Sequence, residues 1–349
     1  MKCLVTGASG FLGKKLLARL TADSRIERID VISRKKRTYP DARVRMHQMD
    51  LVQPWATPEL LDDVDTIIHL AGLYDFAEPF SQCYQQNVLP ILNLIDCIRE
   101  RRSSNPPQIH MASTYAVGFG SSEVLEEKPL KHFPPTGQAY AYTKAIAERA
   151  LTDSGLPARI FRLGVLVGDS EKGEIEKIDG PYYLMSFLHK LGKNSWARKL
   201  KKFPFPYNPN GLTPLVPVDC AAEIFQRALF LPNLEKGQQE YYGLFSTESI
   251  QTDLLARNIF RQYLPDCEPR ALQFGVNTKN RIAATTGHLL TELQSRFTTV
   301  PPEAIGFACM PVALSNPNFQ AVFGAESVPA FHQYRETFFK GFQKCMNLN

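Results

Sequence analysis

Three glycines spaced three apart, Gly7, Gly10 and Gly13, follow directly on the apolar run Lys2-Cys3-Leu4-Val5-Thr6. A helical pattern from Leu12 to Leu20 comes next. Strand, glycine turn and helix in that order are what a phosphate-binding turn requires. Without a Cβ, glycine takes up φ > 0 and lets the backbone come close to a pyrophosphate. The helix N-terminus behind it offers free N–H groups and the positive end of its dipole. Such turns also occur in ordinary loops, but here the turn opens a βαβ pattern, and a nucleotide site is expected.

Further strands are predicted at Ile29–Ser33, Val44–Met49, Asp65–Leu70, Gln108–Ser113 and Ala158–Leu163. Helical stretches separate them, notably Pro79–Arg102 and Gln138–Asp153. No two-residue hairpin turn joins these strands, so the pattern predicts an α/β fold with a parallel sheet and helices on both faces. Ligands bind at the carboxyl ends of such strands, where Gly7, Asp50, Ala71 and Ser113 fall. Beyond Leu166 a charged loop, Asp169 to Asp179, leads to a helix ending near Leu191. A basic, proline-rich stretch runs from Lys190 to Asn210. A helix from Val218 to Leu231 and a late strand, Glu240 to Phe245, are predicted next. From Ile250 onward the chain reads as mainly helical, with breaks at its prolines. Two lobes are expected, 1–167 and 168–349, with the last strand of the first taken from 240–246.

A net charge of +5 over 349 residues is too mild to indicate nucleic acid. The seven cysteines include no C-x-x-C pair, which argues against a zinc site or a disulfide framework and suits a reducing compartment. No apolar run approaches the roughly 18–20 residues of a membrane span, and the first strand leaves no room for a leader. A cytoplasmic protein is expected.

Tyr140-Ala141-Tyr142-Thr143-Lys144 lies inside a helical run, and i,i+4 spacing puts Tyr140 and Lys144 on one face. An ammonium about 4 Å from a phenol contributes about 4 kcal/mol towards the phenolate at an effective dielectric of about 20. That is up to about three pKa units, enough to bring a phenol near working pH. Ser113, at a strand end, is placed to bond a substrate oxygen. Tyr142 faces away and is assigned to packing. Alone, a Tyr-x-x-x-Lys pair is more often a surface helix; the glycine turn and Ser113 upstream change that balance.

Thr6-Gly7-x-x-Gly10-x-x-Gly13, the Ser113 strand end, Tyr140-x-x-x-Lys144 and Arg162-x-x-x-Leu166-x-Gly168 together resemble the extended short-chain dehydrogenase/reductases. His69 to Asp75, Val167 to Tyr183 and Val216-Pro217-Val218-Asp219 are similar to the reductase domains of fatty acyl-CoA reductases. Thioester reductases and plant male-sterility proteins are related. The likeness covers residues 1 to about 245 and returns at Phe319–Phe342. It implies a Rossmann-type doubly wound parallel sheet with a smaller, mainly helical C-terminal substrate lobe. It implies catalytic roles for Ser113, Tyr140 and Lys144, and a structural or proton-relay role for Asn87. Lys144 would also hold the ribose hydroxyls. The implied cofactor contacts are Thr6, Gly7, Ser9, Gly10, Phe11, Leu12, Gly13, Arg34, Asp50, Leu51, Leu70, Ala71, Gly72, Lys144, Leu163 and Val165. Two departures stand out: Pro90 replaces a usual glycine and should kink the helix beyond Asn87, and Leu163 replaces a usual proline in the nicotinamide wall.

After the second strand, Ser33-Arg34-Lys35-Lys36-Arg37 carries no acid to grip a ribose 2′-hydroxyl. A guanidinium fork matches phosphate oxygens, so Arg34 favours the 2′-phosphate of NADP over NAD. Asp30 lies too early in its strand to reach the ribose, and Asp50 either contacts the adenine edge or caps a turn. His69 and Cys220 read as packed residues. The expected substrate is a long-chain acyl thioester, on CoA or an acyl-carrier protein, or a fatty aldehyde. With one reductase domain, one of the two hydride transfers is expected. A 3-beta-hydroxysteroid-type or beta-keto lipid dehydrogenase, and a non-catalytic dinucleotide sensor, remain open. Tyr182, Tyr183, Phe187, Phe203, Phe205 and Tyr207 either line an acyl channel or form core. The basic cluster around Trp196 (Lys190, Lys193, Arg198, Lys199, Lys201 and Lys202) is either a solvated face or a dock for CoA phosphates, a carrier protein or an anionic membrane, so membrane contact is at most peripheral. Apolar spacing over Arg281–Phe297 predicts a core helix, less often a lid. An oligomer is compatible with all of these.

Overall fold

The strand that leads into the glycine turn, β1 (Lys2–Thr6), is fully buried from Cys3 to Thr6. A strand covered on both faces needs helices above and below it and partners on both edges. The computed structural model, which describes residues 1–75, 78–102, 104–121, 123–135, 137–272, 309 and 313–348, supplies both. Six more strands join it: β2 (Arg28–Ser33), β3 (Val44–Gln48), β4 (Thr66–His69), β5 (Gln108–Thr114), β6 (Ala158–Leu163) and β7 (Gln239–Leu244). The sheet order is β7-β6-β5-β4-β1-β2-β3, and every pairing is parallel. The chain lays down β1, β2 and β3 outwards, then crosses to place β4 on the other edge of β1. The carboxyl ends of β1 and β4 therefore flank a topological switch point, where open α/β sheets bind ligands.

The helix after the glycine turn, α1 (Phe11–Ala22), buries Leu12, Leu16, Leu17 and Leu20. This i, i+4, i+5, i+8 set is one helical stripe, and each buried leucine stabilises the fold by about 1.5–3 kcal/mol. It packs with Ala221, Ala222 and Phe225 in one core. The stretch read as one helix from Pro79 divides into α2 (Phe80–Asn87) and α3 (Leu89–Arg102), with the junction at Val88. Pro90, lacking an N–H, accounts for the break. The helix of the Tyr–Lys pair, α4 (Ala139–Ser154), ends at Gly155, whose φ of +68° is the left-handed conformation of a helix stop. Downstream come α5 (Pro181–Leu191), α6 (Val218–Ala228), α7 (Thr252–Tyr263), α8 (Pro317–Phe323) and α9 (Phe331–Leu348).

The C-terminal region is mainly helical, as expected, with short strands added. Ile250–Gln251 pairs antiparallel with Leu212–Thr213, and Glu268–Ala271 pairs with Lys202–Phe205 inside the basic, proline-rich stretch. Residues 281–297, expected to be helical, lie outside the described residues. A second core joins Tyr182, Met185 and Leu188 of α5 to Leu255, Ile259 and Phe260 of α7 and to Phe338 and Phe342 of α9. The aromatics Phe187, Phe203, Phe205 and Tyr207 belong to that core. They fill the space in which an acyl channel was a possible reading. No helix among the described residues is long and apolar enough to cross a membrane.

Candidate active site

The glycine turn has the shape that its sequence demands. Gly7 has φ +73°, and a Cβ there would stand 2.6 Å from the Ala71 nitrogen. A Cβ on Gly13 would overlap the Gly7 carbonyl oxygen and stand 2.6 Å from Ala8 Cα. Gly10 caps α1 with no side-chain bond to the first-turn N–H groups. Those groups are donors for a phosphate, and a bulkier backbone would close the cradle. The residues present thus fit a dinucleotide pyrophosphate. Thr6 braces the turn: its Oγ1 accepts from Ala71 N at 3.2 Å and bonds His69 Nδ1 at 3.0 Å. Burial pushes the His69 imidazole down to about 3, so it is neutral and braces the two strand ends, as a packed residue was expected to.

A cleft of about 410 Å³ opens over this turn. Gly7, Gly10, Phe11, Leu12 and Gly13 line it, as do Leu70, Gly72, Asn87, Leu163 and Val165. Ser113, Thr114, Tyr140 and Lys144 meet there, although Ser113 and Lys144 are 31 positions apart in the chain. Lys144 is 6% exposed and donates from Nζ to the Ala112 carbonyl at 2.7 Å. Burial lowers it to about 8, while Glu148, one turn further on, opposes that shift. Tyr140 lies edge-on to Tyr74, with ring centroids 5.2 Å apart. Tyr142 packs against Phe80 and Phe133, the structural role read for it.

Two expectations about this cluster need correction. Tyr140 is not brought down towards neutral pH. Burial raises its phenol to about 12, against a hydrogen bond donated by the Thr114 hydroxyl that lowers it. Desolvation disfavours phenolate and ammonium alike, and Lys144 is not among the groups that shift the Tyr140 phenol. The second correction concerns the hydroxyl at the strand end. Ser113 is 2% exposed, and its Oγ donates to Glu148 Oε1 at 2.5 Å. Successive side chains alternate across a strand, so it is the next residue, Thr114, whose hydroxyl meets the Tyr140 phenol. If Thr114 positions the carbonyl, Thr114→Val should lower turnover by at least about tenfold, whereas Ser113→Ala should act on thermal stability more than on rate. Steady-state kinetics and melting curves of the two variants separate these outcomes.

Asn87 clamps the segment after β4 from the wall of the cleft. Its Oδ1 accepts from Leu73 N at 2.7 Å, and its Nδ2 donates to the Leu73 carbonyl at 3.3 Å and to Thr143 Oγ1 at 3.1 Å. The Pro90 break leaves it in place as the last residue of α2. Arg34 is exposed at the end of β2, where its Nη1 approaches Gln86 Oε1 at 3.5 Å. Asp30 is committed to Arg28 at 2.6 Å and His47 at 2.8 Å, consistent with its being out of reach of the ribose. Asp50 closes a turn, accepting from Val52 N at 3.2 Å, while Leu51 turns its side chain into the core. Ser9 faces a shallower cleft that it shares with Arg37 and Tyr39.

The charged loop after Leu166 forms the roof. Ile175, Glu176, Lys177 and Asp179 line the cleft opposite the glycine turn. Asp219, at the start of α6, holds the loop by accepting from Ser170 N at 2.9 Å and from Ser170 Oγ at 2.5 Å. Lys15 reaches Asp169 at 2.9 Å and Glu174 at 3.1 Å, and Lys14 reaches Glu176 at 2.9 Å, so α1 and the roof are joined by ion pairs. Gly173, at φ +67°, packs against Gly341 of α9: a Cβ on Gly341 would overlap the Gly173 carbonyl, and one on Gly173 would overlap the Thr337 carbonyl oxygen. Cys220 is half-buried, and burial raises its thiol to about 12, leaving it unactivated. Trp196 is 59% exposed outside the cleft, and Arg198 in its cluster donates locally to the Gly192 carbonyl at 2.7 Å.

Sheet, glycine cradle and the Tyr140–Lys144 helix define an NAD(P)-dependent oxidoreductase of the extended short-chain type. Residues 52–225 match the family model for male sterility protein, and the chain belongs to that branch of the extended short-chain dehydrogenase/reductases. Among curated proteins it is 25% identical over 264 residues to the hybrid PKS-NRPS synthetase poxE of Penicillium oxalicum, covering 69% of this chain and 6% of the synthetase. It is 27% identical to the adenylate-forming reductase Nps9 of Serpula lacrymans var. lacrymans, over 58% of this chain and 20% of that protein. The chain thus spans only a small part of these relatives. Among solved structures, the terminal R domain from the myxalamid PKS-NRPS biosynthetic pathway superposes with a TM-score of 0.73 at 20% identity, covering 99% of this chain and 91% of that one. A UDP-glucuronic acid 4-epimerase from Bacillus cereus in complex with NAD gives a TM-score of 0.63 at 14% identity, covering 99% of each chain.

Proposed function

We propose that this protein reduces an acyl thioester, carried on CoA or on a carrier protein, using NADPH. The observation that supports this best is the convergence of Thr114, Tyr140 and Lys144 on a glycine cradle roofed by the 169–179 loop. Bound there, a nicotinamide dinucleotide would supply the hydride. Gly7 to Gly13 would hold its pyrophosphate and Lys144 its ribose hydroxyls. Tyr140 donates its proton to the substrate's carbonyl oxygen, and a phenol that keeps its proton at neutral pH suits the reducing direction. Thr114 orients that oxygen and stabilises the phenolate left behind. In this reading residues 1–167 with β7 form the dinucleotide lobe, and much of 168–349 faces the substrate. The names of the curated relatives, synthetases and an adenylate-forming reductase, favour a tethered acyl group over a free sterol.

The substrate reading is tested by NADPH oxidation with palmitoyl-CoA, decanal and a 3-keto steroid. Thioester turnover supports it, and turnover of the steroid alone sinks it. The coenzyme assignment rests on Arg34, because a guanidinium at the end of β2 favours a 2′-phosphate and no acid stands there to repel it. Wild type should bind NADPH more tightly than NADH by about tenfold or more, and Arg34→Asp should abolish that preference in a fluorescence titration. A preference that survives the substitution removes Arg34 from the site.

A further inference from the structure

Asp179 stands at the end of the roof loop, where Gly180 turns the chain into α5 with φ +48°. Its residue lines the cleft, with Lys177 and the phenols of Tyr74, Tyr182 and Tyr183 within electrostatic reach of its carboxylate. Burial raises that carboxyl to about 6, which leaves it largely anionic at neutral pH. Its backbone carbonyl accepts from Tyr182 N at 2.9 Å. Among the described residues its carboxylate accepts no hydrogen bond, so helix capping does not account for it. Tyr74, whose phenol feels the Asp179 charge, meets the Tyr140 ring edge-on, and all three line the same cleft.

Asp179 is half-buried and its carboxylate opens on the cleft, so an alkyl chain laid against it would displace water and leave the charge unpaired. Of the aromatics that could have formed an apolar acyl channel, Phe187, Phe203, Phe205 and Tyr207 are spent in the second core. Building on the thioester reading, we propose that Asp179 selects acyl chains bearing a hydrogen-bond donor close to the thioester, such as a hydroxyl, an amide N–H or an ammonium, and disfavours plain alkyl chains.

The test compares decanoyl-CoA with 3-hydroxydecanoyl-CoA, using NADPH and the full chain as wild type, Asp179→Asn and Asp179→Leu. Wild type should favour the hydroxy ester by about tenfold or more in kcat/KM, since sites built to bond a polar group reject analogues that lack it. Asp179→Leu should bring the ratio to about two or less, chiefly through KM for the hydroxy ester, and Asp179→Asn should keep part of it because an acceptor oxygen remains. Circular-dichroism melts establish that both variants are folded. An unchanged ratio in folded Asp179→Leu overturns the proposal. So does a raised KM for NADPH with the ratio intact, which puts the carboxylate on the cofactor instead. A wild type equally fast with both esters overturns the proposal alone, and one that reduces neither overturns the thioester reading beneath it.

Discussion

Tyr140→Phe should lower NADPH-dependent carbonyl reduction by about 10²–10⁴-fold while dinucleotide affinity is retained. The phenol is the acid that the site offers to a nascent alkoxide, and its ring, which packs against Tyr74, is kept by phenylalanine. The wild-type rate should also fall as pH rises through about 8, where Lys144 gives up its proton. Below that pH the lysine is cationic and can share the charge of the phenolate formed in the reaction. Equal rates for wild type and Tyr140→Phe, with every carbonyl tried, would count against proton donation by Tyr140.

The second large effect is expected on stability. Glu148 and Arg162 are 2% and 1% exposed, and their closest contact is 2.8 Å. Arg162 also donates to the carbonyls of Glu126 and Lys128 at 2.7 and 2.9 Å, so one guanidinium joins α4, β6 and the loop after β5. Glu148→Ala leaves that guanidinium buried and short of its counter-ion, which costs about 3–5 kcal/mol. Domains are stable by only about 5–15 kcal/mol, so urea denaturation should show a large drop in midpoint. Because Glu148 also opposes the lowering of Lys144, Glu148→Gln should move the alkaline limb of the rate profile to lower pH. A midpoint unchanged in Glu148→Ala would mean that water or another group takes over the charge.

The glycine turn was legible because glycine alone tolerates Gly7's φ and Gly13's closeness to the carbonyl above it. The strands were legible because buried parallel strands are continuous apolar runs. What sequence could not provide was parity. Both residues line the cleft, but whether Ser113 or Thr114 turns its hydroxyl to Tyr140 depends on the phase of β5, and a one-residue shift flips the face. Glu148 was overlooked although its position carried a signal. Tyr140, Lys144 and Glu148 follow one another at intervals of four, and an acid on that face, in a chain with Arg162 in a buried strand, marks a buried pair. The strand at Lys202–Phe205 contains proline and lysine, and it exists through pairing with residues some sixty positions later, which no local pattern encodes. The pKa of Tyr140 was misjudged for a related reason: a neighbouring charge can be read from spacing, but burial cannot.

The contact between Gly173 and Gly341 has a consequence for anyone who trims this chain. The family resemblance read from sequence thins out near residue 245 before returning at Phe319–Phe342, and a cut there would look conservative. It would retain the cradle, Thr114, Tyr140 and Lys144, and it would discard α9, the keel on which the roof loop is seated. Such a fragment would keep the Asp219 and Lys15 ties to the loop but lose the seat that Gly341 gives Gly173, leaving the segment that carries Lys177 and Asp179 open on its far side.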